Sequence, residues 1–365
     1  MAGAAVSHRR FFGSTAIHLS RTHSYPTTGN INMKPQIAVL LGDPAGIGPE
    51  LIARLVARLE NRVQADLLII GDRRELDLGM EIAGQRFDYR VIDDEADAAR
   101  GTDTPSLIDF RLPDDAHYER AVSTERGGRY SLEAFRKALA LTRANRTQAM
   151  LFAPVNKTSL HMAGMKTNDE MEWFARQLDY EGAFCEFNVL DELWTSRVTS
   201  HIALKDVSAK LTPERIVGAV QLIHDGQKRA GIASPRIAVC GFNPHNGDNG
   251  AFGREEIDVI APAVEHARKL GYDAQGPFPA DTIFVRARDQ KAFDGVVTMY
   301  HDQGQIAMKL MGFWRGVTVH GGLPVPIATP AHGTAFDIQG QGKADVGATQ
   351  KAFDIALRMA QDRLN

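Results

Sequence analysis

Gln36-Ile37-Ala38-Val39-Leu40-Leu41-Gly42-Asp43-Pro44-Ala45-Gly46-Ile47-Gly48-Pro49-Glu50 is the stretch that decides the fold. The apolar run Ile37–Leu41 reads as a buried strand, and Gly42-Asp43-Pro44 ends it with turn residues. Apolar residues at helical spacing follow at Leu51, Ile52, Leu55, Val56 and Leu59. The same alternation continues outward. Strands are predicted over 67–70, 149–153, 236–241 and 295–300, and helices over 132–144, 213–230, 255–270 and 351–364. Strand, helix, strand in succession predicts an α/β protein with parallel pairing. In such sheets ligands gather at the polar loops that leave the strands, so the loops are where chemistry is sought.

Composition narrows the function. The chain has 365 residues, 44% of them hydrophobic, enough for a sizeable core in two domains or one large one. A formal charge of −3 offers no global field for nucleic acid or an anionic membrane surface. No apolar run approaches the ~20 residues that cross a bilayer. The two cysteines, Cys185 and Cys240, have no metal-finger or CxxC spacing and read as free thiols in a reducing compartment, which points to the cytoplasm. Residues 1–32 carry Arg9, Arg10 and Arg21 but no acidic residue. They read either as a transit-like segment or as an extension upstream of a true start at Met33, and they are set aside from the fold.

Three groups of residues carry candidate chemistry. The turn at 42–50 has glycines at 42, 46 and 48, which is not the GxGxxG spacing. It is either an ordinary tight turn or a place where backbone N–H groups meet an anion. His201, His245 and His301 each lie in a polar loop just after a predicted strand. Three imidazoles with an open position are what a catalytic divalent ion requires, though spacings of 44 and 56 residues make no local motif. The stretch His332-Gly333-Thr334-Ala335-Phe336-Asp337 suits an adenosine ribose and base, or is a plain glycine-rich loop before the terminal helix.

Taken together, the segments Gly42–Glu50, Ala153-Pro154-Val155-Asn156-Lys157, Asn243-Pro244-His245, Gly276–Thr282, Tyr300-His301-Asp302-Gln303-Gly304 and His332-Gly333-Thr334-Ala335 resemble the 4-hydroxythreonine-4-phosphate dehydrogenase family of vitamin B6 biosynthesis. The first and last also resemble the isocitrate and isopropylmalate dehydrogenases. The resemblance covers about 33–365. It implies a two-domain α/β fold of the isocitrate/isopropylmalate dehydrogenase kind, with the site in the interdomain cleft. Residues 33–155 plus 305–365 would form the cofactor-binding domain, and 156–304 the middle domain with the metal site and dimer interface. It implies a homodimer in which His201, His245 and His301 hold one divalent metal (Zn, Co, Mg or Mn), with His301 supplied across the interface. NAD or NADP would lie along His332, Gly333, Thr334, Ala335 and Asp337. A metal-bound hydroxyl would give up hydride, and the β-keto acid would lose CO₂. Asp281, Asp302 and Lys309 are then candidates for catalysis. Asn156, Lys157, Glu170, Lys309 and Thr318 are candidates for binding substrate.

The departures shape the substrate expectation. The family's Gly-His-Thr-Glu segment corresponds here to Asp169-Glu170-Met171-Glu172. By gapless counting, its phosphate-gripping Lys, Asn and Arg fall on Lys309, Thr318 and Ile327. Loss of the arginine removes a bidentate contact. The expectation is therefore oxidation, with decarboxylation, of a non-phosphorylated hydroxy acid such as a dihydrodiol carboxylate, in a pocket that Trp173, Phe174, Phe313 and Trp314 could line. The alternative is the B6 enzyme with a rebuilt phosphate site at Lys309, Arg315 and His320. A third reading is a non-catalytic NAD- or metal-binding protein.

Overall fold

The structure, a computed structural model, describes residues 34–113 and 116–364, so the reading of 1–32 lies outside the described residues. The first half of the chain supplies strands Gln36–Leu40 (β1), Asp66–Gly71 (β2), Arg90–Ile92 (β3), Ser106–Asp109 (β4) and Ala149–Phe152 (β5). Its helices are Gly48–Ala57 (α1), Leu59–Gln64 (α2), Arg73–Ala83 (α3), Glu125–Arg143 (α4), Lys157–Met162 (α5) and Glu170–Gln177 (α6). The second half adds Cys185–Leu190 (β6), Leu193–Arg197 (β7), Arg236–Cys240 (β8), Asp273–Phe278 (β9), Gly295–Thr298 (β10), Val317–Gly321 (β11) and Ile327–Pro330 (β12). Its helices are Pro213–Arg229 (α7), Ala261–Lys269 (α8), Ala280–Gln290 (α9), His301–Gly312 (α10) and Gly347–Leu364 (α11).

Among the described residues the strands form one sheet in the order β3-β4-β2-β1-β5-β12-β11-β6-β7-β10-β8-β9. Pairing is parallel from β3 through β12, antiparallel across β12-β11-β6-β7, and parallel again from β7 to β9. The parallel expectation therefore holds for the two flanks and not for the seam. There the sequence reading gives no bounds for the strand before His201 (β7) and does not include β6, β11 or β12. The seam is made by a hairpin whose strands meet at Asp191-Glu192 and by the return of the chain through β11 and β12. The chain leaves the first flank after β5 and comes back at β12, so both chain ends serve that flank.

Central strands are buried on both faces, as parallel strands under helices must be. In β1, Ile37 and Val39 face one core cluster while Ala38 and Leu40 face the other. The helix after β1 starts where Pro49 can sit without losing a backbone hydrogen bond. Thr124, Asp169 and Thr212 cap α4, α6 and α7 through side-chain oxygens. The predicted helix over 255–270 is a π-helical turn, Glu256–Ile260, running into α8. Cys185 is partly buried and Cys240 fully buried, both as free thiols. No helix among the described residues is long and apolar enough to cross a membrane.

The glycine turn shows why its composition is narrow. A Cβ on Gly48 would run into the Leu41 carbonyl oxygen, and one on Gly46 would come within 2.7 Å of Thr334. Strand β1, helix α1 and the 332–337 loop close on each other there with no room for a methyl group. Gly48→Ala should cost about 1–3 kcal/mol, since overpacking a rigid contact forces backbone movement. Urea unfolding of the variant checks this, and an unchanged midpoint would contradict it.

Candidate functional site

Strands β7 and β10 pair in parallel, and the pairing continues past their ends. Val198 N donates to Thr298 O (2.9 Å), and Thr199 donates to Met299 O through both N (3.2 Å) and Oγ1 (2.8 Å). The two loops that leave these strands are thereby held side by side, and the rings of His201 and His301 lie 5.5 Å apart. Asp302 Oδ1 sits 2.6 Å from His301 Nδ1, and Asp169 Oδ2 sits 3.8 Å from His201 Nδ1. The Asp302 carboxylate on Nδ1 leaves Nε2 of His301 as the free lone pair, the usual way a ligating histidine is oriented, while Asp169 lies beyond hydrogen-bond distance of His201.

Both histidines line a cavity of about 300 Å³ with Lys157, Glu186, Asn188, Gln305, Lys309 and Thr318. Helix α10 forms one wall, from His301 at one end to Lys309 about 12 Å along its axis. The floor is the face of β6 and β11, where Asn188 pairs with Thr318 and Glu186 with His320. Lys157 Nζ is 3.8 Å from Glu170 Oε2. Burial pushes the Glu170 carboxyl above its ordinary range, and Lys157 pulls the other way. Burial also acts to raise Glu186. The Arg197 guanidinium 2.8 Å away, together with His320 and Lys157, outweighs it and holds this carboxyl below the usual range.

Several expectations change here. His301 stands beside His201 in the same chain, where the resemblance implied a ligand supplied across an interface. His245 is the one that stands apart, exposed, with its ring 6.4 Å from Phe252. It lies in a run of left-handed residues from His245 to Asn249, pinned from below by buried Glu256, which accepts from Phe242 N (2.7 Å) and Asn243 N (2.6 Å). Among the described residues no three His, Cys, Asp or Glu side chains gather into a metal-holding group. Asp281 is exposed in the first turn of α9 and does not line the cavity. The strand end before α9 meets the loop of His245, where Asn246 Nδ2 donates to Pro277 O (3.0 Å). Asn156 is not in the cavity wall either. Its Oδ1 caps α5 by accepting from Ser159 N (2.9 Å) and also accepts from Ser123 Oγ (3.0 Å).

The aromatic pocket is not formed. Trp173 and Phe174 are buried in a ring cluster with Phe135 and Phe152, Trp314 is exposed, and the Phe313 side chain lies outside the described residues. Of the rebuilt phosphate site, only Lys309 is in the cavity. Arg315 pairs with Asp191 (3.5 Å), and His320 is buried against Phe152 and Phe174. Ile327 is fully buried in β12, paired with Met150. Gapless counting thus sets the family's phosphate-gripping arginine on a core position, and its absence there says nothing about phosphate.

The cofactor candidates do come together. Ile47 N donates to Thr334 O (3.1 Å), Ala344 N donates to Glu50 Oε1 (3.0 Å), and Arg54 Nη2 donates to Gly342 O (2.7 Å). The 42–50 turn and the 332–344 loop are therefore one surface. His332 and Gly333 open it, Ala335 precedes the short turn Phe336–Ile338, exposed Asp337 is the middle residue of that turn, and Ala331 just before the loop lines the cavity. Burial lowers the His332 pKa. Sequence reading missed Glu186, Asn188, Arg197 and Gln305. The signal for the first two was present as the period-two alternation Glu186-Phe187-Asn188-Val189.

Residues 63–356 match the family model described as pyridoxal phosphate biosynthetic protein PdxA. The chain is 60% identical over 335 residues, 90% of itself and 98% of the relative, to a Pseudomonas aeruginosa protein named "Putative 4-hydroxythreonine-4-phosphate dehydrogenase 2". The chain belongs to the PdxA family. It is 39% identical to the D-threonate 4-phosphate dehydrogenase of Cupriavidus necator, over 89% of this chain and 98% of that one. The solved 4-hydroxythreonine-4-phosphate dehydrogenase of Klebsiella pneumoniae superposes with a TM-score of 0.76 at 34% identity, covering 90% and 98%. A terephthalate 1,2-cis-dihydrodiol dehydrogenase from Burkholderia xenovorans superposes less well, at 0.63 and 25% identity, covering 86% and 95%. Relatives in this family are dehydrogenases, so the chain is an oxidoreductase acting on an alcohol. The comparisons do not support the expectation of a non-phosphorylated substrate, since the more similar relatives carry names with phosphorylated substrates.

His320 gives this region a pH signature. Burial lowers its pKa to about 4 from the ordinary 6.5, and neither ring nitrogen has a hydrogen-bond partner among the described residues. Between those two values the unfolded chain binds a proton that the native ring refuses, so stability falls as pH drops from 6.5 towards 4. The whole effect is on the order of 3 kcal/mol. Urea unfolding at pH 7 and pH 4.5 should show His320→Phe losing less stability than the unsubstituted protein over this interval. An equal loss in both would contradict the assignment.

Proposed function

We propose that this chain is a metal-dependent NAD(P) dehydrogenase of a phosphorylated hydroxy acid, of the size of 4-hydroxythreonine 4-phosphate or D-threonate 4-phosphate. The observation that carries it is the His201–His301 pair at one end of a cavity that also holds Lys157 and Lys309. Two imidazoles backed by carboxylates suit a divalent ion of the Zn or Co kind better than an oxygen-seeking Mg. A pair is one ligand short of a catalytic triad of histidines. His245 of the partner subunit supplies the third in this reading, in place of His301.

An exposed apolar surface near the site supports that assembly. Ile306 and Leu310 lie one turn apart on α10 and are 60% and 84% exposed, and Trp314 follows at 69%. Phe252 beside His245 is 54% exposed. Large apolar groups left this open are the usual mark of a surface that another chain covers. A second copy, related by a two-fold axis, would cover both patches and bring His245 to the cavity.

When bound, the ion and the nicotinamide supply Lewis acidity and a hydride acceptor. The chain's own residues do the rest. His201 and His301 fix where the alcohol oxygen sits. Lys157 and Lys309 set the two anionic ends of the substrate, with Thr318 donating a hydroxyl beside Lys309. The surface made by 42–50 and 332–344 presents backbone N–H groups and Asp337 to the cofactor. Oxidation of an alcohol β to a carboxylate gives a β-keto acid, so loss of CO₂ follows without a separate acid to drive it.

NADH formation from 4-phosphohydroxy-L-threonine or D-threonate 4-phosphate tests the reaction, with an EDTA-treated control. Turnover that disappears on chelation and returns with Zn²⁺ or Co²⁺ is expected. Turnover of a dihydrodiol carboxylate alone would favour the non-phosphorylated reading. His245→Ala and His301→Ala should each be inactive. Mixing the two after dissociation should restore roughly a quarter of the activity, since half the dimers are mixed and each mixed dimer has one complete site. No recovery on mixing would place all three histidines in one chain.

A further inference from the structure

Arg197 is a buried guanidinium on β7 opposite Glu186, on the same sheet face as the cavity floor, and its three nitrogens go to three different parts of the site. Nη2 donates to Glu186 Oε2 (2.8 Å), Nη1 to Asn188 Oδ1 (3.2 Å), and Nε to Ser200 Oγ (2.9 Å). Ser200 directly precedes His201, so one planar cation ties the histidine loop to the face of β6. Planar forks of this kind fix geometry in a way that a lysine cannot.

The commitments leave defined groups facing the ligand. Asn188 Oδ1 accepts from Arg197 and also from Gln305 Nε2 on α10. With its carbonyl oxygen used twice, the Asn188 amide turns its N–H groups to the cavity. Glu186 gives Oε2 to Arg197, and no donor among the described residues reaches Oε1. The cavity floor therefore presents a carboxylate acceptor and an amide donor two residues apart on one strand face, about 7 Å from each other. Glu186 is half-buried, and Arg197 offsets its desolvation through Oε2, which leaves Oε1 as the acceptor available to a ligand.

We propose that Glu186 is a substrate-binding residue that accepts a hydrogen bond from the hydroxyl or ammonium group on the carbon beside the alcohol to be oxidised. Arg197 is its positioning residue. This rests on the dehydrogenase reading above and adds to it a basis for choosing among phosphorylated acids of one length. Glu186 and His201 are tied to the same guanidinium, so a group bound by Glu186 is a near neighbour of one bound at the histidine pair. A carboxylate held in a fixed position rejects a substrate that lacks the donor more strongly than an apolar wall rejects an extra one.

The test compares three compounds on metal-loaded protein: 4-phosphohydroxy-L-threonine, D-threonate 4-phosphate and 3-hydroxy-4-phosphobutanoate. They carry an ammonium, a hydroxyl and nothing at that carbon. Glu186→Gln should lower kcat/KM about tenfold to a hundredfold for whichever substituted compound the unsubstituted protein prefers, mainly through KM. It should leave 3-hydroxy-4-phosphobutanoate within about twofold. Arg197→Met should show this selective loss on top of a smaller loss common to all three compounds, because it also frees Ser200 beside His201, and Arg197→Lys should recover part of both. An equal loss on all three compounds would assign both residues a structural role and overturn the proposal, as would unsubstituted protein that treats the three alike. Failure of that protein to oxidise any of them, while it oxidises a dihydrodiol carboxylate, would overturn the proposal together with the phosphorylated-substrate reading, a distinct and separately visible result.

Discussion

The parallel pairing of β7 with β10 is the constraint from which the site is built. Its hydrogen bonds run on into the loops through Val198, Thr199 and Met299, and that continuation sets His201 against His301. Nothing in either loop alone would do this, since the two histidines are separated by the helices α7, α8 and α9 and the strands β8, β9 and β10. The same pair of strands is edged by β6, which carries Glu186 and Asn188 to the cavity, so one run of sheet supplies the paired histidines and the floor beside them.

The antiparallel seam has a consequence for the cofactor side. Because β12 returns beside β5, the 332–344 loop emerges next to the turn after β1, and the two glycine-rich segments nearly 300 residues apart form a single surface. Ala331 sits on the boundary between this surface and the cavity, so a hydride acceptor bound along the loop would enter at the end of the substrate space. Gly46 and Gly48 matter here for want of room, the one facing Thr334 and the other the Leu41 carbonyl.

Much of this was legible in the sequence, and the reasons for the rest are physical. Helices with strong periodicity and strands of unbroken apolar residues declared themselves, as did the loops bearing His201, His301 and Thr334. The seam did not, because β6 and β7 mix polar and apolar residues on a surface that is half core and half cavity, where alternation is easily taken for a loop. Arg197 was invisible for a related reason: its partners Glu186, Asn188 and Ser200 lie across a strand pair, and no spacing along the chain marks them. Asn156 and Asp281 show the opposite error. Both sit in segments that resemble the family, yet one is spent on a helix cap and the other points away from the cavity in this chain. Ile327 shows that counting without gaps cannot assign a binding role across a turn of uncertain length.

The central claim is that His201 and His301 together hold a divalent ion, and cobalt reports on it directly. Co²⁺ added to metal-free protein should give a visible absorption band at one equivalent per chain, the signature of nitrogen ligation in a low-coordinate site. His201→Ala and His301→Ala should each abolish that band while their far-ultraviolet circular dichroism stays unchanged. Stoichiometric binding with an unaltered spectrum in both variants would contradict the account.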